Sequence, residues 1–275
     1  MKRLATGLVA GVMALALGQA ADAGATLDRV TDKGEMVVAT NASWPPQSYL
    51  DDSHQLVGFD IDVAREIASR LGVEIRFETP DWATMTGGRW AGRYDVGVGS
   101  VTPTKARAQA IDFAGIYYYS PYVYVVHQDS AAQTVADLAG KKIGVETATT
   151  SEDFINRQLE IDAPGLPPIE YKLEPGTVLT YADSMLPFDD LRLGDGVRVD
   201  AVIAPEQTAV NAINNGYPVR ILEGKYAFRE PLVVIAEKGD PEWTAKVGEI
   251  IEAMKADGTL GALTTKWYGK DYSAD

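Results

Sequence analysis

The sequence lacks cysteine entirely and contains only two histidines in 275 residues. Without cysteine the chain cannot form disulfide bonds, use a thiol nucleophile or hold zinc through thiolates. The two histidines, His54 and His127, lie far apart and each has a polar neighbour, so we expect both to be solvated rather than metal-bound. The composition therefore implies neither a metal ion nor a cofactor.

Positive charge is also scarce, because 25 Lys and Arg residues stand against 39 Asp and Glu residues, for a formal net charge of −14. A chain this acidic repels the phosphates of nucleic acids, while its charge favours solubility. We therefore expect no nucleic-acid partner.

Long apolar runs are limited to residues 4–17, and this stretch is shorter than the roughly 20 residues that a membrane-spanning helix needs. Lys2 and Arg3 precede it, and Ala21-Asp22-Ala23 follows it with the small-residue spacing of a cleavage site. This pattern predicts a signal peptide over residues 1–23. We expect a soluble, exported, monomeric product that starts near Gly24.

Strand-like and helix-like segments alternate along the rest of the chain, which is typical of α/β folds. Residues 60–71 carry one apolar stripe at helical spacing, with Asp60 suited to the N-cap and Gly72 to the C′ position. Strands are predicted at residues 36–40, 73–79, 123–126, 197–204 and 232–236, a strand and turn at 143–151, and further helices from about residue 151, at 243–256 and at 260–268.

The segment 99–113 follows an apolar strand-like run and offers Ser100, Thr102 and Arg107 within a short stretch. A guanidinium has a fork of donors that matches a carboxylate bidentately. Hydroxyls and free backbone N–H groups at a strand end can complete such an anion site. Taken alone, these residues suit a surface turn with an exposed arginine equally well.

At this point the chain resembles the family-3 extracellular solute-binding proteins, the periplasmic receptors of polar amino acid ABC importers. The resemblance covers nearly the whole chain after residue 23. It rests on short motifs that occur in the family's order: Gly58-Phe-Asp-Ile-Asp-Val-Ala, Gly92-Arg-Tyr-Asp-Val, Thr104-Lys-Ala-Arg-Ala-Gln-Ala-Ile-Asp-Phe, Gly140-Lys-Lys-Ile-Gly-Val, Ala148-Thr-Thr, Val199-Asp-Ala-Val, Asp257-Gly-Thr-Leu and Lys266-Trp-Tyr-Gly.

The resemblance implies an α/β clamshell of the type II periplasmic binding protein kind, with two lobes joined by two crossing strands. Lobe 1 would comprise residues 27–120 and 228–275, and lobe 2 would be residues 121–227, inserted between the two parts of lobe 1. The ligand, a small carboxylate such as an amino acid or a derivative, would lie between the lobes. The implied protein partners are the subunits of an ABC permease.

The resemblance also implies roles for individual residues. Arg107 falls on the family's carboxylate-binding arginine, with Ser100 and Thr102 on its two helper positions. Thr149 and Thr150 fall where the family directs a helix N-terminus at the same carboxylate, although Thr150 also suits plain N-capping.

Two loop tryptophans, Trp44 and Trp82, fall where the family places aromatics that hold the ligand's side chain. Two indoles could sandwich an aliphatic stem or a cation. Without the resemblance, a loop tryptophan beside proline would more often be packed surface.

The chain departs from the family at Pro205, where an aspartate usually binds the α-ammonium group of the ligand. Proline offers neither a charge nor an N–H group. Glu206 and Glu146 are the candidates to replace it, although each could equally be a solvated surface carboxylate. Some family members have an acid at the position of Asn41, and this acid binds a basic side chain of the ligand. With asparagine there, the family pattern gives less support for a ligand with a cationic side chain.

The leading interpretation is a non-catalytic import receptor. The same fold also occurs in periplasmic dehydratases of the cyclohexadienyl type, where Glu146 or Glu206 could serve as a general acid. A third alternative is a periplasmic partner that presents a ligand to a chemoreceptor or docks on another protein.

Overall fold

A computed structural model describes residues 24–163, 166, 168–224 and 226–274 of the chain, and the predicted signal peptide lies outside the described residues. The strands are β1 (Glu35–Ala39), β2 (Ser43–Trp44), β3 (Ser48–Leu50), β4 (Leu56–Val57), β5 (Glu74–Glu78), β6 (Val96–Val101), β7 (Ile111–His127), β8 (Lys142–Glu146), β9 (Thr177–Tyr181), β10 (Ala201–Pro205), β11 (Val219–Ile221) and β12 (Phe228–Glu237). The helices are α1 (Ala25–Lys33), α2 (Phe59–Leu71), α3 (Trp82–Thr86), α4 (Thr150–Ile155), α5 (Leu186–Leu191), α6 (Glu206–Asn214), α7 (Pro241–Ala256) and α8 (Thr259–Tyr268), with 3₁₀ turns at Arg107–Gln109 and Val135–Leu138.

A mixed sheet runs through the molecule in the order β5-β1-β6-β12-β7-β10-β8-β9, and β11 also pairs with β7. The outer strands pair in parallel, as expected of βαβ units. In the middle, β12 and β7 run antiparallel to each other. The 17-residue β7 pairs first with β12 and then with β10 and β11, so it connects the two halves of the sheet.

The buried side chains divide into cores on either side of this junction. Two clusters draw on residues 30–118 and 232–272, and two others draw on residues 122–228. Apolar burial of this kind is the main stabilising contribution to each half. This division resembles that of the two implied lobes, except that Phe228, predicted to belong to lobe 1, packs in a cluster with residues 122–227; the lobe boundaries stay a prediction.

The alternating pattern of strands and helices is confirmed, but several local predictions are wrong. The aromatic passage 117–122 belongs to β7 itself, whereas the sequence predicted a strand only from residue 123. His127, expected to be solvated, is buried at the end of β7, where its Nδ1 accepts a hydrogen bond from the Asp129 N–H at 3.3 Å.

The start of α2 also differs from the prediction. The N-cap is Gly58, with φ of 135°, and a Cβ there would lie 2.2 Å from the Gln47 carbonyl oxygen, so only glycine fits. Asp60 lies inside the helix and is fully buried. Its carboxylate accepts hydrogen bonds from Tyr117 (2.6 Å) and Ser100 (2.9 Å), which explains why it does not act as a cap.

Among the described residues, no helix is both long and apolar enough to cross a membrane. The same residues contain no group of three or more His, Asp or Glu side chains arranged to hold a metal ion.

Candidate ligand-binding cleft

A cavity opens beside the junction of the two halves of the sheet. Its walls come from both halves, as in clefts between lobes. The lining residues are Asn41, Trp44, Trp82, Ser100, Thr102, Arg107, Tyr122, Glu146, Thr149, Thr150, Ser151, Ser184, Pro187, Val202, Ile203, Ala204, Pro205, Thr208 and Glu230.

The cavity thus brings together eight of the nine residues that the sequence singled out. They are Trp44, Trp82, Ser100, Thr102, Arg107, Glu146, Thr149 and Thr150. Glu206, the first residue of α6, does not line it. Its carboxylate instead accepts a hydrogen bond from the Tyr272 hydroxyl at 2.8 Å.

Arg107 is held in place by its neighbours in lobe 1. Its Nη1 donates to the Thr102 carbonyl at 3.0 Å, and its backbone N–H donates to Thr104 Oγ1 at 3.2 Å. The guanidinium carbon lies 5.2 Å from the centroid of the Trp82 ring, a cation–π contact. Trp82 therefore supports the arginine as well as lining the cavity.

The guanidinium has no ion-pair partner within the part of the chain that the structure describes. Burial lowers the pKa of Arg107, and the nearby Glu230 carboxyl opposes this change. Arginine stays protonated under such conditions. A positive charge is therefore available inside the cavity to a ligand carboxylate.

Ser100 lines the cavity with a hydroxyl that is already paired. Its Oγ donates to Asp60 and accepts from the Tyr118 hydroxyl at 2.7 Å, while its N–H donates to the Tyr117 hydroxyl at 2.8 Å. The φ of Ser100 is 51°, in the left-handed region that few non-glycine residues adopt. This buried network holds Ser100 in place at the cavity wall.

The beginning of α4 also lines the cavity. The N-cap position is Thr149 and not Thr150, which corrects the predicted cap. The Thr149 hydroxyl donates to the Glu146 carbonyl at 2.7 Å, so it does not cap the helix, and the Thr150 hydroxyl donates to that of Tyr122 at 3.3 Å. Both threonines still line the cavity together with Arg107.

Glu146 ends β8 at the cavity wall. Burial raises the pKa of Glu146 to about 7, and the charge of Asp183 adds to this rise. A second space shares Asn41, Trp44, Trp82, Glu146 and Ser184 with the cavity and extends it toward the carboxyls of Asp81 and Asp183. This outer end is consequently acidic.

Glu230 is the functional candidate that sequence reasoning missed. It lies on β12, is 2% exposed, and lines the cavity. Burial raises the pKa of Glu230 to about 7, although the hydroxyls of Thr150 and Thr102 and the charge of Arg107 act in the opposite direction. One feature of the sequence could have indicated it. Glu230 is the single acid in residues 227–236, which are otherwise apolar apart from Arg229.

Trp44 contacts the other half of the molecule directly. Its Nε1 donates to Thr208 Oγ1 at 3.2 Å, and Thr208 lies on α6. The cavity also contains polar atoms without hydrogen-bond partners among the described residues, namely Trp82 Nε1, Ser184 Oγ and Glu230 Oε2. Buried polar groups are normally paired, so these three atoms lack the partners that such groups usually have.

Comparison with known proteins gives consistent results. The L-cystine-binding protein TcyJ of Escherichia coli (strain K12) is 29% identical over 271 residues, which cover 98% of this chain and 94% of TcyJ. The structure of the ancestral amino acid-binding protein AncCDT-1, a precursor of cyclohexadienyl dehydratase, matches with a TM-score of 0.73 and 28% identity over 88% of this chain and 99% of that one. An ancestral arginine-binding protein bound to arginine matches with a TM-score of 0.70 and 30% identity, covering 86% and 99% respectively.

These relatives are named as binding proteins and not as enzymes, in agreement with the expected non-catalytic role. The sequence profile of the bacterial extracellular solute-binding proteins, family 3, matches residues 36–270. Since this match spans most of the chain and the two-lobed α/β fold agrees with it, the protein belongs to the bacterial extracellular solute-binding proteins of family 3.

Proposed function

We propose that the protein is the periplasmic receptor of an ABC importer and binds an amino acid, or a closely similar carboxylate, between its two lobes. The observation that carries this proposal is the guanidinium of Arg107, which is half-buried at the cavity wall and has no ion-pair partner among the described residues. A partly desolvated charge of this kind gains most from an opposite charge that enters the cavity with it. A ligand carboxylate supplies that charge.

The remaining walls suit the rest of an amino acid. Thr102, Thr149 and Thr150 line the same cavity as the guanidinium, while Trp44 and Trp82 provide apolar surface for a side chain. The names of the relatives, which bind cystine, arginine or amino acids, agree with this ligand class.

We propose that ligand binding stabilises the closed arrangement of the lobes. The closed receptor then binds to the permease of the importer. Contacts such as Trp44 Nε1 to Thr208 Oγ1 join the two lobes around the cavity. A ligand shifts the balance between open and closed forms by as much as it prefers one of them. Affinity therefore reflects both the contacts in the closed cleft and the free energy of closure.

The proposal is tested by a thermal-shift screen followed by calorimetry. The panel contains the twenty standard L-amino acids, L-cystine, and a set of betaines, opines and small carboxylates. A ligand at 100 times its Kd adds about 2.7 kcal/mol to the free energy of unfolding, which is readily detected. The proposal predicts that at least one amino acid gives this stabilisation, and a panel with no stabilising amino acid contradicts it.

A further inference from the structure

We infer that Glu230, on the strand that crosses between the lobes, binds the α-ammonium group of the ligand in place of the acid that is missing at Pro205. The inference rests on the proposed function, because it assumes that the ligand is an amino acid. The sequence suggested Glu206 or Glu146 as the ammonium partner, and the inference replaces both.

The first argument is position. An amino acid carries its carboxylate and ammonium on the same carbon, so their two partners must lie close together. Glu230 is close enough to Arg107 for its charge to raise the pKa of the guanidinium, whereas Glu146 has no such effect on it. The two residues nevertheless form no ion pair in the described structure, and both line the cavity, so each can contact the head group of a ligand bound there.

The second argument comes from the strand register. Tyr122 on β7 pairs with Pro205 on one side and with Phe228 on the other. Side chains alternate along a strand, so Glu230 lies on the same face as Phe228, two residues further along. Glu230 and Pro205 thus lie on the two strands that flank β7. The carboxylate of Glu230 is on β12, whereas the family's aspartate would be on β10, at the position of Pro205.

The third argument is the state of the carboxylate itself. Glu230 is almost completely buried, and although the hydroxyls of Thr102, Thr150 and Tyr122 act on its carboxyl, its Oε2 makes no hydrogen bond of normal geometry among the described residues. A buried carboxylate oxygen without a donor is costly, and an ammonium group supplies the donors that it lacks. The predicted alternative Glu206 is paired with Tyr272 outside the cavity. Glu146 lies at the outer, acidic end.

Matched pairs of ligands test the inference directly. L-Arginine is compared with 5-guanidinopentanoic acid, which differs only by the absence of the α-amino group, and L-cystine with 3,3′-dithiodipropionic acid. Any other amino acid that the panel identifies is compared with its own deamino acid. Calorimetry then measures the Kd of each ligand for the unmutated protein, for Glu230→Gln and for Glu146→Gln. The ratio of the Kd of the deamino acid to that of the amino acid gives the preference of each protein for the amino acid.

We expect the unmutated protein to prefer the amino acid by about 30-fold or more, the range for one partner of a desolvated charge pair. Glu230→Gln should remove most of this preference, and Glu146→Gln should reduce it less. The double variant Glu230→Gln with Pro205→Asp should recover part of it. Pro205 already occupies the N-cap of α6, a position that aspartate favours, so this variant is compatible with the fold.

Each other result decides against the inference. If Glu230→Gln keeps the preference, or Glu146→Gln loses more of it, Glu230 is not the ammonium partner. If the unmutated protein binds an amino acid and its deamino acid equally well, the site has no such partner, although the receptor proposal stands. If it binds no amino acid at all, both proposals fail.

The test requires that Glu230→Gln folds, and the structure indicates that it does. Glutamine has nearly the same shape as glutamate and carries no charge to bury, so Glu230→Gln should not destabilise the unliganded protein. Its thermal unfolding temperature, compared with that of the unmutated protein, checks this point independently of ligand binding.

Discussion

The two ends of the cavity differ in their charges. The inner end combines the cationic Arg107 with the buried carboxyl of Glu230. The outer end contains Glu146 near Asp183 and Asp81, beside the two tryptophans. We therefore propose that the inner end binds the zwitterionic head group that all amino acids share, and that the acidic outer end discriminates between side chains.

The inner end is most easily disrupted by Arg107→Ala. We expect this variant to lose binding of every amino acid by about 2–5 kcal/mol or more, because a desolvated ligand carboxylate loses its counter-charge. Calorimetry measures the change, and thermal unfolding of the unliganded variant shows that the fold survives. Arg107→Lys should also bind poorly, since an ammonium cannot reproduce the bidentate fork. An unchanged Kd for Arg107→Ala would show that the inner end does not hold a carboxylate.

The sequence, through its family resemblance, placed Arg107 and its neighbours at the cavity because these residues lie in one local motif. Arg107, Ser100 and Thr102 belong to one short segment, and the alternation of strands and helices follows local hydrophobic periodicity. Glu230 could not be predicted in this way. Its burial results from the pairing of β12 with β7, which is a contact between residues about 110 positions apart in the chain.

Other errors have the same origin. Asp60 follows the local pattern of an N-cap, but the tertiary contacts with Tyr117 and Ser100 place it inside α2. Glu206 follows Pro205 directly in sequence, yet its side chain is directed to Tyr272 from another part of the chain. Local patterns thus indicate which residue types are available, whereas long-range packing decides which of them face the cavity.

The pH dependence of stability gives a second test of the inner end. Burial raises the pKa of Glu230 from 4.5 to about 7, so the folded state holds a proton that the unfolded state has released between these pH values. The resulting stabilisation is fully present below pH 4.5 and is lost as the pH rises through 7. Relative to Glu230→Gln, the unliganded protein should therefore lose about 1–3 kcal/mol of unfolding free energy between pH 5 and pH 8.

Urea unfolding at several pH values measures this difference. Glu146 and Asp60 have pKa values raised in the same direction, so both proteins should show a background slope of the same sign. The comparison with Glu230→Gln isolates the contribution of Glu230. Parallel profiles for the two proteins would contradict the assignment of a protonated, buried carboxyl at this position.

The outer end is tested by Glu146→Gln. If the outer acids select a cationic side chain, this variant should weaken binding of L-arginine by about 1.5–3 kcal/mol, the range for a hydrogen bond to a charged group. Binding of L-glutamine, which has a neutral side chain of related length, should change much less. Calorimetry with both amino acids gives the two differences, and equal losses for both would mean that Glu146 does not discriminate between side chains.

The smallest expected effect concerns closure and not either end of the cavity. The hydroxyl of Tyr272 donates to Glu206 on α6 at 2.8 Å, and these residues belong to different halves of the molecule. Tyr272→Phe removes this hydrogen bond without altering the cavity, so it should favour the open form and weaken every ligand by about 0.5–1.5 kcal/mol. Tyr226→Phe, at a largely exposed tyrosine, is the matched control. Because the hydrogen bond contacts no ligand, L-arginine and L-glutamine should weaken by the same factor. A loss that differs between them would show instead that Tyr272 affects the cavity itself.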